Sequence, residues 1–318
     1  MMEQIFSPSP ESPVLAIGAA GEDIVGRLIN NIHPGTSNPA HIRSSFGGVA
    51  RNVAENLARL GQPVILLTAV GEDPTGQKLL EQTEAAGVDV RYALHNSKQP
   101  TSTYLAVVDQ IGKLQFALDD MRTISAITPA YLEEHAGLFE EASLLFLDAN
   151  LSKETIRKAV SLSLKAKIPI CADPTSSMLA GRLKTHLSRL HLITPNIGEA
   201  EILCGHTSDA AIPQRALEAA KCLVSKGVKI AIISLAELGV FYATSETSGQ
   251  IPAIRTQIID PTGGGDAMTA AVLFGLLNDI PLDDAIRLGV SAASLTLRYS
   301  GSVVRDLSLE KLYDHLVI

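Results

Sequence analysis

Apolar and polar positions follow two periods along the chain, in alternating blocks. Short, nearly continuous apolar runs at residues 14–17, 64–70, 144–147, 169–172, 192–194 and 230–234 read as strands buried on both faces. Longer segments between them carry helical spacing. In 48–60, Val49, Val53, Leu57 and Leu60 recur on one face and Gly61 follows as a stop. Residues 75–86 form a second such segment, ended by Gly87, and 153–166, 213–226, 266–277 and 282–298 are the others. Alternating strands and helices of this kind predict a parallel sheet covered on both faces, with right-handed crossovers.

Two stretches, 24–46 and 88–121, break the rhythm. The second contains a hairpin pattern: 103–109, a turn at Gln110-Ile111-Gly112-Lys113, then 114–118. Both are expected to be β insertions that pair into a small separate sheet. A lid over a substrate is one use for such a sheet, since long non-helical insertions in compact domains are often functional; surface decoration is the other. Residues 1–13 read as a disordered leader and 14–318 as one large domain.

Composition narrows the chemistry. The 318 residues, 46% hydrophobic, are ample for a buried core. A net charge of −8 with no basic run excludes a nucleic-acid polymer or a membrane as the expected partner. An anionic substrate must then be held by local amides, a metal and a few cations. The three cysteines are widely spaced and are expected to be reduced thiols of a cytoplasmic protein. The first residues lack the basic and apolar regions of a secretion signal.

The most informative segment is Asp260-Pro261-Thr262-Gly263-Gly264-Gly265-Asp266. Glycines leave amides unshielded where a helix begins, which suits an anion. A carboxylate there makes sense if the anion is a migrating phosphoryl group and Asp266 takes the proton of the attacking hydroxyl. The bland alternative is a glycine turn with an aspartate cap. Gly47-Gly48, opening the first long helix, permits close backbone approach, and Asn52 lies one turn in. Asp23 follows the first strand and can accept from sugar hydroxyls. Asn196 and Glu199, three apart after a strand, suit a hydrated Mg²⁺ or, more simply, a capping box. Asp173, Asp148 and Asn150 end strands on the same rim. Gly71 to Lys78 has P-loop glycine spacing, but Gln77 stands where the lysine belongs.

In this order the motifs resemble those of the ribokinase-like (PfkB) carbohydrate kinases, from about Val14 to the C-terminus. Within that family the likeness is greatest to the pseudouridine kinase branch. Residues 47–61, Pro100-Thr101-Ser102-Thr103-Tyr104, Asp120-Met121, Leu147-Asp148-Ala149-Asn150-Leu151 and Asp173-Pro174 carry it. The resemblance implies a three-layer α/β sandwich with a central, mostly parallel sheet and a β lid. It also implies transfer of a phosphoryl group from ATP to the 5′-hydroxyl of pseudouridine, with Mg²⁺ and K⁺.

Asp266 would be the base, in a form ionised by the helix dipole, and the amides of Gly263, Gly264 and Gly265 the anion hole. Asp23, Gly47, Gly48, Asn52, Thr103 and Asn150 would line the acceptor site. Asn196 and Glu199, with Asp173 through water, would organise Mg²⁺; Asp260 and Thr262 would hold K⁺. Ser234, Ala236 and Gly239 would lie at the nucleotide. Three positions depart from the family pattern: Gly21 and Ala236, where Asn and Gly are usual, and Gly264, where Ala is usual. The alternatives are a kinase for another ribosyl acceptor (ribose, a ketohexose or an N-nucleoside) and a catalytically weakened ligand-binding homologue. A homodimer through the lid is expected.

Overall fold

A computed structural model describes residues 11–206 and 210–316; most of the leader expected over 1–13 lies outside the described residues. Its strands are β1 Val14–Ile17, β2 Gly21–Leu28, β3 Ala40–Gly47, β4 Val64–Leu67, β5 Ala69–Gly71, β6 Leu94–Asn96 and β7 Ser102–Val108. They continue with β8 Leu114–Asp120, β9 Leu144–Asp148, β10 Ile170–Asp173, β11 Leu192–Ile193, β12 Ile230–Ser234, β13 Val240–Ala243 and β14 Ser248–Ile251.

Eight strands form the central sheet, in the order β14-β13-β12-β11-β10-β9-β1-β4. From β4 to β12 every pairing is parallel, and the β13–β14 hairpin extends that edge antiparallel. Strand alternation divides the core into two layers. Leu15, Ile17, Leu145 and Leu147 pack on one face with Ile156, Ala159 and Val160 of the Lys153–Ala166 helix. Val14, Ala16, Leu144 and Phe146 pack on the other with the Val49–Arg59, Gly264–Leu277 and Leu282–Leu297 helices. This is the three-layer α/β sandwich that the pattern predicts.

The apolar run 64–70 is not one strand. It divides at Thr68: β4 joins the central sheet, and β5 pairs in parallel with β6 in a separate two-stranded sheet. A third sheet has the order β3-β2-β7-β8, with β2 parallel to β7 and antiparallel to β3. The cysteine expectation needs correction. Cys204 and Cys222 are joined in a disulfide, their Cα atoms 6.2 Å apart, because the Ile197–Cys204 and Ile212–Ser225 helices pack together; Cys171 is free and buried.

One buried carboxylate fastens the sheet to the helix that starts the site. Asp148, at the end of β9, accepts from Ala19 N (2.8 Å), Ala50 N (3.0 Å) and Asn150 N (2.9 Å). Gly18 has no side chain because a Cβ there would meet the Asp148 carboxylate at 2.3 Å. Truncation would leave buried amides without acceptors. Asp148→Ala is therefore expected to lower stability by about 2–4 kcal/mol, read as a drop in the urea midpoint; an unchanged midpoint would contradict this role.

Candidate active site

Two helices that begin at glycines in the left-handed region converge at the C-terminal rim of the sheet. Gly48, with φ 98°, caps the Val49–Arg59 helix, and a Cβ there would lie 2.4 Å from Ala19 O. Gly263, with φ 76°, caps the Gly264–Leu277 helix, and a Cβ would lie 2.0 Å from Ser302 O. The second helix starts two residues before the expected 266. No side chain caps its first amides, so they remain available to an anion. A Cβ on Gly265 would meet nothing within 4 Å, whereas one on Gly264 would touch Leu297 at 3.3 Å. The missing methyl at Gly264 thus faces the protein, and the open space lies at Gly265.

Asp266 is not a cap. It stands in the first turn, and its Oδ2 accepts from Asn52 Nδ2 at 2.7 Å. The orientation of that amide is fixed from behind. Asn52 Oδ1 accepts from Arg51 Nη1 (3.2 Å) and lies 3.1 Å from Ser302 Oγ, whose one proton is shared with the nearer Phe46 O (2.7 Å), so Nδ2 must face the carboxylate. Burial pushes the Asp266 pKa up to about 6, against the lowering bond from Asn52. This corrects the expectation that the helix dipole would depress it, because desolvation outweighs the amides.

Asp23 lies beside this pair. Its carboxyl occupies the space over Gly47, where a Cβ would be 2.0 Å from Oδ2. Burial, then the charge of Asp266, raises the Asp23 pKa to about 7, with Arg51 opposing. Gly21 cannot carry the side chain usual in the family, since a Cβ would come within 2.5 Å of Ser102 O.

Thr103 is a correction: it pairs in register with Glu22, and Tyr104 with Asp23. Alternation therefore places Thr103 on the face away from Asp23, and Tyr104 takes the position expected of it. Asn150 lies next to the buried Asp148, which accepts its amide.

The residues expected around a metal are brought near one another but are already engaged. Asn196 and Glu199 form a capping box: Glu199 N donates to Asn196 Oδ1 (3.0 Å), and Asn196 N and Nδ2 donate to the Glu199 carboxylate (2.9 and 2.6 Å). Asp173 accepts from Thr175 N (2.7 Å) and Thr194 Oγ1 (3.3 Å), and Thr194 is bonded in turn to Thr269 of the Asp266 helix. Burial holds the Asp173 pKa well above the carboxylate range, and the charges of Asp266, Glu199 and Asp148 add to it. Among the described residues no group of three or more His, Cys, Asp or Glu side chains is set to hold a metal. A cation entering here would relieve the mutual repulsion of these carboxylates, reached through water rather than by direct ligation.

Asp260 differs more sharply from expectation. Its Oδ1 accepts from Thr262 N (3.1 Å) and Oγ1 (2.7 Å). Its Oδ2 accepts from Gly301 N (2.8 Å) and pairs with Arg43 Nη2 (2.9 Å). The guanidinium already supplies the positive charge that K⁺ was expected to bring, so the two residues do not fit a monovalent ion in this arrangement.

In the segment expected to lie at the nucleotide, Ser234 N donates to Pro195 O (3.0 Å), placing it against the start of the Asn196 helix. Ala236 has φ 45°, a left-handed conformation that glycine would adopt without strain. Gly239 is required, since a Cβ would lie 2.2 Å from Ile251 O. Sequence reasoning missed Arg43, Tyr104 and Ser302. Only the Gly301 turn beside Ser302 carries a local signal.

Comparisons with known proteins show the family and the fold. The profile described as "pfkB family carbohydrate kinase" matches residues 14–307. Pseudouridine kinase of Escherichia coli is 33% identical over 93% of this chain and 94% of its own length. Guanosine-inosine kinase of Exiguobacterium acetylicum is 28% identical over 88% of this chain and 93% of its own. The structure of Arabidopsis thaliana ribokinase, solved with ribose and ATP, superposes with a TM-score of 0.84, covering 96% of this chain and 99% of that one at 21% identity.

Proposed function

This chain belongs to the pfkB family of carbohydrate kinases, and we propose that it phosphorylates the 5′-hydroxyl of a ribosyl acceptor, pseudouridine before others. Phosphotransfer to an alcohol is the chemistry of the family, and kinases of this fold use ATP and Mg²⁺. The observation that carries the reading is the Asn52–Asp266 hydrogen bond of 2.7 Å, with Asp23 alongside. The 33% identity to pseudouridine kinase supports the choice of acceptor.

In this reading Asp266 accepts the proton as the acceptor oxygen attacks. Asn52 holds its carboxylate in place and Asp23 receives ribose hydroxyls. The amides from Gly263 to Gly265 steady the migrating phosphoryl group, whose transition state depends mainly on positioning and charge. Mg²⁺ would arrive with ATP, be met through water by Asn196, Glu199 and Asp173, and supply charge neutralisation. Ser234, Ala236 and Gly239 would lie under the nucleotide. The β2–β3–β7–β8 sheet would serve as the lid.

An ATP-consumption assay over pseudouridine, uridine, guanosine, ribose and fructose tests the acceptor. The reading expects the highest kcat/KM with pseudouridine. A higher value with another ribosyl compound would reassign the substrate, and no ADP release with any of them would leave a ligand-binding homologue. Asp266→Asn is expected to lower kcat by about 10²–10⁴-fold while substrate affinity changes little. Because the ionised carboxylate is the base, kcat/KM should fall as pH drops through about 6. A profile flat from pH 5 to 8 would argue against that role.

The Arg43–Asp260 pair gives a second prediction. We propose that Arg43 takes the place of the monovalent ion, so exchange of K⁺ for Na⁺ leaves the wild-type rate unchanged, whereas Arg43→Ala becomes dependent on K⁺. A wild-type enzyme that slows severalfold in Na⁺ would restore the K⁺ site at Asp260 and Thr262.

The lid sheet is also the proposed dimer surface. It leaves β3 and β8 as open edges, and Ile42, Phe116 and Leu118 are exposed beside an apolar groove lined by Ile24, Leu28 and Val107. A second copy of the sheet, with the same edges and the same apolar face, is the occupant that fits. Sedimentation should report a dimer for the native chain and a monomer for Ile42→Glu; a monomeric native chain would contradict this.

A further inference from the structure

A polar cavity of about 710 Å³ adjoins the site described above and shares Arg43, Arg51, Gly301 and Ser302 with it. Asp23, Asn52 and Asp266 do not line it; Glu22, on the opposite face of β2 from Asp23, does. One wall is a stripe of the Val49–Arg59 helix, where Arg51, Glu55 and Arg59 recur at i, i+4 and i+8. Arg43 enters from β3 and Arg305 from the segment after the Leu282–Leu297 helix.

Four guanidiniums therefore line this space with only two carboxylates. Glu55 is shared between them, since Arg51 and Arg59 both pair with it. Arg43 is committed to Asp260 outside the cavity lining. Arg305 makes no ion pair among the described residues. With Asp260 counted beside Glu22 and Glu55, the guanidiniums still leave this space one formal positive charge in excess, on a chain whose net charge is −8. Arg51 and Arg59 spend their forks on Glu55, Thr83, Asn52 and the Phe46 and Arg305 carbonyls, so Arg305 is the guanidinium left to grip an oxyanion in bidentate fashion. The volume is that of a small-molecule site, and the Ser44, Ser300 and Gln82 side chains add groups for hydroxyls.

We propose that this cavity binds a small hydroxylated phosphate ester, as an effector separate from the acceptor and ATP. The proposal does not rest on the kinase reading, although Arg43, Arg51 and Ser302 border both spaces. An occupant would be in contact with the catalytic centre through one intermediate group. Arg51 and Ser302 both line the cavity; Arg51 donates to Asn52 Oδ1 at 3.2 Å, Ser302 Oγ lies 3.1 Å from the same atom, and Asn52 holds Asp266.

The test is calorimetric titration of the full chain with glycerol 3-phosphate. The anion hole is first filled with Mg²⁺ and a non-hydrolysable ATP analogue. Inorganic phosphate and glycerol are titrated in parallel. Saturable one-to-one binding of glycerol 3-phosphate is expected, with none for glycerol. Arg305 is exposed and holds no ion pair, so Arg305→Glu should fold, keep its basal kcat, and bind the ester at least about tenfold more weakly, as loss of a charge-assisted contact requires. Arg59→Gln should weaken binding in the same direction. The absence of binding with the nucleotide site filled, or wild-type affinity in both variants, would overturn the proposal. Binding of inorganic phosphate without the ester would overturn the assignment to an ester.

Discussion

The hydrogen bond between Asn52 and Asp266 joins residues 214 apart in sequence, and the rest of the site is arranged around it. Each residue lies in the first turn of a helix whose start depends on a glycine in the left-handed region. Asp148 fastens the first helix to the sheet, and Arg51 and Ser302 hold the Asn52 amide from the side away from Asp266. The carboxylate is thus held by a single donor in a largely dry position. Burial raises its pKa and the Asn52 bond lowers it, and the balance near 6 leaves a carboxyl that is mostly ionised at neutral pH.

The same electrostatics extends outward. Asp23, Asp173, Glu199 and Asp266 all have carboxyl pKa values raised, first by burial and, for Asp23 and Asp173, also by the charge of Asp266. Such a set is unfavourable in an empty protein and favourable once a cation accompanies an anionic substrate. The cost is offset elsewhere by extensive apolar burial, in which both faces of β1 and β9 are covered. Stability and chemistry therefore occupy different layers: the sheet supplies rigidity, and its C-terminal rim carries the strained glycines and crowded charges.

Much of the fold was legible because its signals are local. Apolar runs such as 144–147 and helical repeats such as 153–166 have one periodicity each, and they fold accordingly. The split at Thr68 was not legible, since β4 and β5 differ only in their partners and not in their pattern. The disulfide was not legible either: Cys204 and Cys222 are 18 residues apart, and only helix packing brings them together. In the site, the glycine turns and Asp266 could be read from spacing. The side chains that orient them could not, because Arg43 and Ser302 reach it from β3 and from beyond the last long helix. Asn196 and Glu199 form the capping box that was the simpler of the two readings of their spacing.

The most direct measurement is a crystal structure of the chain with a non-hydrolysable ATP analogue, Mg²⁺ and the acceptor that the assay selects. The account predicts an Asp266 carboxylate oxygen at hydrogen-bond distance, about 2.6–3.2 Å, from the acceptor's primary hydroxyl. Asn52 should still be bonded to that carboxylate. A hydroxyl paired with some other group, with Asp266 turned away from the sugar, would contradict it.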